Sequence, residues 1–221
     1  MYFISGTDTG VGKTLISAAL IKAAQAAGHT AIGLKPVSAG CELIDGIWQN
    51  DDAVQLLAAS AGQLSYAQVN PLAFKEAIAP HIAAEHEGVA VHAQTLCEHI
   101  KAVPAAGVTF IEGAGGWLVP LNATETMADI AIGLRTPVIL VVGLRLGCIN
   151  HSLLSAAAIR HAGLPLAGWV ANSIDPEMDV LEENIRSIEQ RIAAPLLGTV
   201  PYMKVTDAAR AAACLNIGLL A

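Results

Sequence analysis

Residues 6–14 read GTDTGVGKT, a glycine-rich run closing on Lys-Thr. At a strand-to-helix junction such a run cradles phosphate, because loop N–H groups and the helix N-terminus face anionic oxygens. The common form is G-x-x-x-x-G-K-[ST]. Here Gly6 and Gly12 have five residues between them, and one of these is the acidic Asp8. Lys13 would bridge the outer phosphates of a nucleotide, and Thr14 would hold Mg²⁺ through its hydroxyl. A glycine turn with no ligand has no need of Lys-Thr at its helix start.

Other residues could share that chemistry. Mg²⁺ takes one or two carboxylates, and Asp52 and Glu112 are the candidates. Glu112 ends the apolar run VTFIE and precedes glycines. Asp52 follows a loop at a helix start, where capping competes with metal binding. Capping falls equally well to Asn50 or Asp51, so spacing leaves the choice open. Lys35 ends the apolar run TAIGLK. Alone it reads as a snorkelling surface lysine; beside Lys13 it reads as a second cation near phosphate. Asn172, at the end of LAGWVAN, suits either an adenine edge or a turn, and nothing local decides between them. There is no N-K-x-D motif to read guanine. The seven histidines have no zinc spacing, and His81 and His151 read as surface or capping residues. No G-x-S-x-G elbow occurs.

These residues must be held by the elements around them. YFIS is a short strand feeding the loop. A helix over 14–28 follows, apolar at Leu15, Ile16, Ala19, Leu20 and Ala23 and stopped at Gly28. TAIGLK is the second strand. Residues 40–50 read as irregular and exposed, 51–60 as a helix, and 69–81, with two prolines, as a surface loop. Residues 92–103 suit a helix, and GVTFIEGAGG a buried strand with a glycine turn. TPVILVVG is nearly all apolar, as in a sheet covered on both faces. A helix (150–163), a strand (164–172), a helix (178–192), a strand (195–202) and a last helix and turn from Asp207 complete the chain. Strands alternating with helices predict an α/β fold with a mainly parallel central sheet and right-handed crossovers, in three α/β/α layers. Each candidate falls at or after a strand end, where such folds bind ligands.

The 221 residues suit one domain, 1–221, with a full core. Hydrophobic residues at 54% and charged residues at 14% argue against disorder. The net charge of -7, with no basic block, gives nucleic-acid binding no support. No run is long enough to span a membrane, and no leader precedes the first strand. The four dispersed cysteines read as reduced thiols of a cytoplasmic protein.

Across nearly its whole length the chain resembles the dethiobiotin synthetases. The likeness is carried by GTDTGVGKT, GLKPV, NDDA, VNPLAF, APHIAA, FIEGAGGWLVPL, PVILVVGLRLGCINH, LAGWVAN and LLGTVPY. That family's loop has the same five-residue gap. The resemblance implies a P-loop NTPase-like fold and ATP-dependent ring closure of 7,8-diaminononanoate (7,8-diaminopelargonate) with CO₂. The steps are a carbamate, a carbamic-phosphoric anhydride, and release of dethiobiotin, ADP and phosphate. It further implies that Gly10, Val11, Gly12, Lys13 and Thr14 bind phosphates, and that Lys35 joins Lys13 in catalysis. Mg²⁺ would lie on Thr14, Asp52 and Glu112. Glu112, Gly113, Ala114 and Gly115 would border the nucleotide, and Asn172, Pro201, Tyr202 and Met203 the adenine. Thr9 would lie near the carbamate. A homodimer is implied, with Gly147, Cys148, Ile149 and Asn150 of one subunit receiving the substrate carboxylate of the other.

Two departures stand out. The family often reads K-P-V-x-S-G, with the Ser on substrate; here KPVSAG puts Ala39 there and Ser38 before it. Some members have Glu in place of Gly10. Among other ATPases, the partition class reads K-G-G-x-G-K-[ST], and its first lysine falls where this chain has Asp8. Cobyrinate-type ligases usually add a glutaminase domain for which this length leaves no room. A simple kinase explains neither GCINH nor EGAGGW.

Overall fold

The computed structural model describes residues 1–62 and 64–220. The elements run β1 (Tyr2–Gly6), α1 (Lys13–Ala26), β2 (Ala31–Leu34), β3 (Val37–Ala39), β4 (Glu42–Ile44) and β5 (Ile47–Gln49). They continue with α2 (Asp51–Ala59), α3 (Tyr66–Val69), β6 (Leu72–Phe74), α4 (Pro80–His86), α5 (Ala93–Ala102) and β7 (Val108–Gly116). The last are α6 (Met127–Leu134), β8 (Val138–Leu144), α7 (Cys148–His161), β9 (Leu166–Ser173), α8 (Leu181–Glu189), β10 (Leu196–Val200) and α9 (Ala208–Ala212).

Six strands form one sheet in the order β10-β9-β8-β1-β7-β2, and every neighbouring pair is parallel. All seven residues of β8 are buried, because helices cover both faces and a polar face is never needed. Right-handed crossovers put α1 on one face, where α2 and α9 pack on it; α5 with α6 and α7 with α8 cover the other. The chain leaves β1 toward one edge, whereas β7 and β8 lead toward the other. The carboxyl end of β1 is therefore the switch point, where a crevice must open.

Small residues bring α1 close to the sheet. A Cβ at Gly33 would lie 2.7 Å from Ile21 Cδ1. The helix ends where Gly28 turns left-handed at φ 87°. The N–H groups of Gly28 and His29 then return to the carbonyls of Gln25 and Ala24, which satisfies the last turn.

The structure adds elements to the sequence reading. Residues 40–50 are exposed as expected but regular: β4 and β5 form an antiparallel hairpin. Asp45 and Gly46 both have positive φ, the turn that an Asp-Gly pair favours. The 69–81 stretch contains β6, which pairs with β3, and Pro80 starts α4 at a position where its missing N–H costs nothing. Helix α6 falls where no element was expected; its Thr126 N–H donates to Asp129 Oδ2 at 2.6 Å. None of the four cysteines forms a disulfide. No described helix is long and apolar enough to cross a membrane.

Candidate active site

A cavity of about 670 Å³ opens at the switch point. Its floor is the loop from β1 to α1, and its walls come from the ends of β2 and β7, the start of α2, and residues 77–80. Gly10 and Gly12 take φ of 74° and 84°, which L side chains resist. The N–H of Ile16 closes the first helical bond on the Gly12 carbonyl, so the N–H groups before it face outward.

Strands β2 and β7 deliver Lys35 and Glu112. Lys35 follows β2; its N–H donates to the Val69 carbonyl and its own carbonyl accepts from Asn70 Nδ2 at 2.6 Å. Asn70 Oδ1 also accepts from Ser38 Oγ and the Tyr66 hydroxyl, each at 2.8 Å. One asparagine thus fixes the backbone that aims Lys35. Glu112 pairs with Ile4 in the β1–β7 ladder, after which the register jumps to Gly6 opposite Gly116. The resulting bulge bends residues 113–115 beside the loop. A Cβ on Gly115 would meet Val119 at 2.7 Å and Thr9 Oγ1 at 3.4 Å.

The side chains converge. Lys35 Nζ donates to Glu112 Oε1 at 2.6 Å, to Asp52 Oδ2 at 3.0 Å and to the Gly113 carbonyl at 3.4 Å. Thr14 Oγ1 donates to the same Glu112 oxygen at 3.0 Å. Lys13 Nζ caps the Asp8 carbonyl at 3.0 Å. Asn50, not Asp52, caps α2, its Oδ1 accepting from the Ala53 N–H; this frees Asp52 to face Lys35. Two cations and two carboxylates therefore share one small volume.

Burial alone would push the Lys35 ammonium down, but the Glu112 and Asp52 carboxylates together outweigh it and raise its pKa above the usual lysine value. Burial, then repulsion from Lys35, brings Lys13 down to about 8. Burial would raise Asp52; the charge of Lys35 and its hydrogen bond outweigh this and, with the Lys13 charge, hold it below the usual carboxylate range.

Glu112 is wholly buried, and its Oε2 has no hydrogen-bond partner among the described residues. An orphaned carboxylate oxygen beside Asp52 and a threonine hydroxyl is a donor set suited to Mg²⁺, which needs few protein ligands. No group of three or more His, Cys, Asp or Glu that could hold a metal occurs among the described residues.

Thr9, Gly10, Gly12, Lys13, Thr14, Lys35, Ser38, Ala39, Asp52, Glu112, Ala114 and Gly115 all line the cavity. Asn172 makes no turn: it is in β9, and its Nδ2 donates to the Val11 carbonyl at 2.8 Å. Pro201, Tyr202 and Met203 follow β10 outside the cavity wall, and of the tail beyond them Thr206 reaches it. Gly147, Cys148, Ile149 and Asn150 open α7 at the same end of the sheet but do not line this cavity. Ser38 Oγ is buried against Asn70. Sequence reasoning gave no role to Asn70, although VNPLAF contains it, nor to Arg145, which pairs with Asp8.

A family profile described as an AAA domain matches residues 1–210. The chain is 52% identical to an ATP-dependent dethiobiotin synthetase of Cellvibrio japonicus, with 98% of this chain and 95% of that relative covered. It is 50% identical to one of Pseudomonas aeruginosa, over 98% and 96%, and 48% identical to one of Nitrosospira multiformis, over 98% and 94%. Among solved structures, a ParA family ATPase of Chlorobium tepidum gives a TM-score of 0.57 at 12% identity, over 96% of this chain and 88% of that one. MinD of Aquifex aeolicus gives 0.55 at 16%, over 95% and 86%. At those identities the likeness is one of fold, the P-loop NTPase-like α/β/α sandwich. The chain belongs to the dethiobiotin synthetase family, within the AAA-domain profile that spans its first 210 residues.

Proposed function

We propose that the chain is an ATP-dependent dethiobiotin synthetase, a cyclo-ligase acting at the penultimate step of biotin synthesis. One amine of 7,8-diaminononanoate adds CO₂ and loses a proton, giving a carbamate. A carbamate oxygen attacks the γ-phosphorus of ATP, and ADP leaves. The second amine attacks the carbonyl carbon of the mixed anhydride, expels phosphate and closes the cyclic urea. The observation that carries this reading is the convergence of Lys13 and Lys35 on one cavity with Glu112 and Asp52.

A carbamate and a triphosphate repel each other. Fixed cations offset that repulsion and stabilise charge moving to the bridging oxygen. Lys13 serves the nucleotide side and Lys35 the carbamate side. Thr14, Asp52 and Glu112 would hold Mg²⁺, with Glu112 Oε2 as the free ligand. Bound Mg²⁺ would neutralise phosphate charge. Gly10, Val11 and Gly12 offer N–H groups to the phosphates, and residues 113–115 border them. Thr9 stands toward the carbamate, and Ser38 and Ala39 toward the diamine. Asn172, Pro201, Tyr202 and Met203 lie toward the adenine. The chain acts as one domain and as a cytoplasmic homodimer, with Gly147, Cys148, Ile149 and Asn150 of one subunit receiving the substrate carboxylate at the other's site. A helix N-terminus suits a carboxylate.

Carbon-13 bicarbonate supplied with the diamine and MgATP tests the route. The label should enter the ureido carbonyl of dethiobiotin; product formed without label at that carbon would exclude it.

A further inference from the structure

An acidic side chain in an anion-binding loop works against the loop's task, yet Asp8 stands two residues before Gly10. Each of its carboxylate oxygens has one partner. Oδ1 accepts the Thr9 N–H at 2.7 Å, and Oδ2 pairs with the Arg145 guanidinium. Arg145 comes from the loop between β8 and α7, 137 residues away in sequence. Both side chains are 43% exposed. Meanwhile the Asp8 carbonyl accepts from Lys13 Nζ, so the residue that carries the negative charge also anchors the phosphate-binding lysine. Asp8 shapes the loop through its carbonyl and Oδ1; its remaining charge is a liability for a triphosphate.

We propose that Arg145 is a positioning residue of the nucleotide site, which cancels the Asp8 charge so that the loop can keep this shape and still accept a polyphosphate. The proposal rests on reading the loop as an ATP site. Two other roles for the pair differ in their consequences. If Arg145 itself drew the phosphates, removing Asp8 would not compensate for its loss. If the pair were a mechanical tie between two loops, losing either partner would be equally harmful.

MgADP binding, measured by calorimetry at low salt, separates these roles without any need for the diamine. R145M should weaken binding about threefold to fivefold, the scale of one exposed charge pair, and the deficit should shrink as salt screens it. R145K should bind like the wild type. D8N should bind at least as tightly as the wild type, and D8N/R145M should regain wild-type affinity. Thermal unfolding of each variant shows that the fold is intact. A double variant as weak as R145M overturns the proposal, as does a D8N loss matching that of R145M, or an R145M with unchanged affinity. Wild-type protein that fails to bind MgADP would sink the ATP reading itself, and this proposal with it.

Discussion

Lys35 Nζ lies 2.6 Å from Glu112 Oε1, and both side chains are all but sealed from solvent. The charge on each is tolerable because of the other. Asp52 completes the arrangement at 3.0 Å. The lysine thus sits among the two carboxylates and the threonine hydroxyl that would receive a divalent cation.

Lys35→Ala should therefore have two separable effects. Turnover should fall on the order of 100-fold or more, the scale for one oriented charge contact in a water-poor site. Stability should drop by about 3 kcal/mol, because Glu112 is left as an unpaired buried charge. Mg²⁺ without nucleotide should then raise the melting temperature of the variant more than that of the wild type. Steady-state rates and thermal unfolding with and without Mg²⁺ check both; an unchanged rate removes Lys35 from the mechanism.

Nucleotide binding should take up protons on the alkaline side of neutrality. With a pKa of about 8, Lys13 of the free protein is partly neutral there. An arriving polyphosphate favours its charged form, and so raises that pKa toward the ordinary lysine value. Uptake should be small at about pH 7 and approach one proton at about pH 9, and affinity should fall as pH rises through 8. Calorimetry in buffers of different ionisation enthalpy measures the protons directly. Equal uptake at both pH values would contradict the assignment to Lys13.

Gly12→Ala should strain the loop twice over. Its φ of 84° costs an L residue about 1–2 kcal/mol, and the added Cβ would collide with the Asn172 carboxamide. Asn172→Ala alone should cost about 1 kcal/mol through the lost bond to Val11. Since Asn172→Ala also removes the obstacle, the double variant should lose less than the sum of the two. Denaturant unfolding gives the cycle, and strict additivity would argue against the contact.

Ala39→Ser should lower the KM for the diamine about twofold to tenfold, the worth of one hydrogen bond, and leave MgADP affinity unchanged. The Ser38 hydroxyl proton is already committed to Asn70, so Ser38 has no proton left to donate to the substrate. Saturation kinetics in the diamine distinguish this from a change in nucleotide handling, which would appear in the KM for ATP.

The loop, Lys35 and Glu112 were legible because apolar runs end at them, although β7 itself continues past Glu112 to Gly116, and the α/β alternation places the ends of the six parallel strands on one side. Asp52 was half legible: three consecutive residues could each cap α2, and only geometry assigns the cap to Asn50. Asn70 and Arg145 act across 35 and 137 residues, a separation that no local pattern encodes. The Asp45-Gly46 turn was written in the sequence, but its strands are three residues each with exposed apolar side chains, so alternation did not reveal them. Helix α6 is short and almost wholly apolar, and such a run carries no helical period to detect.

The most direct test of the central claim is stoichiometry in the purified wild-type protein. With 7,8-diaminononanoate, bicarbonate and MgATP, ADP should be released in equal amount to dethiobiotin, and ADP release should stop when the diamine is withheld. ATP turnover that is indifferent to the diamine would contradict the account.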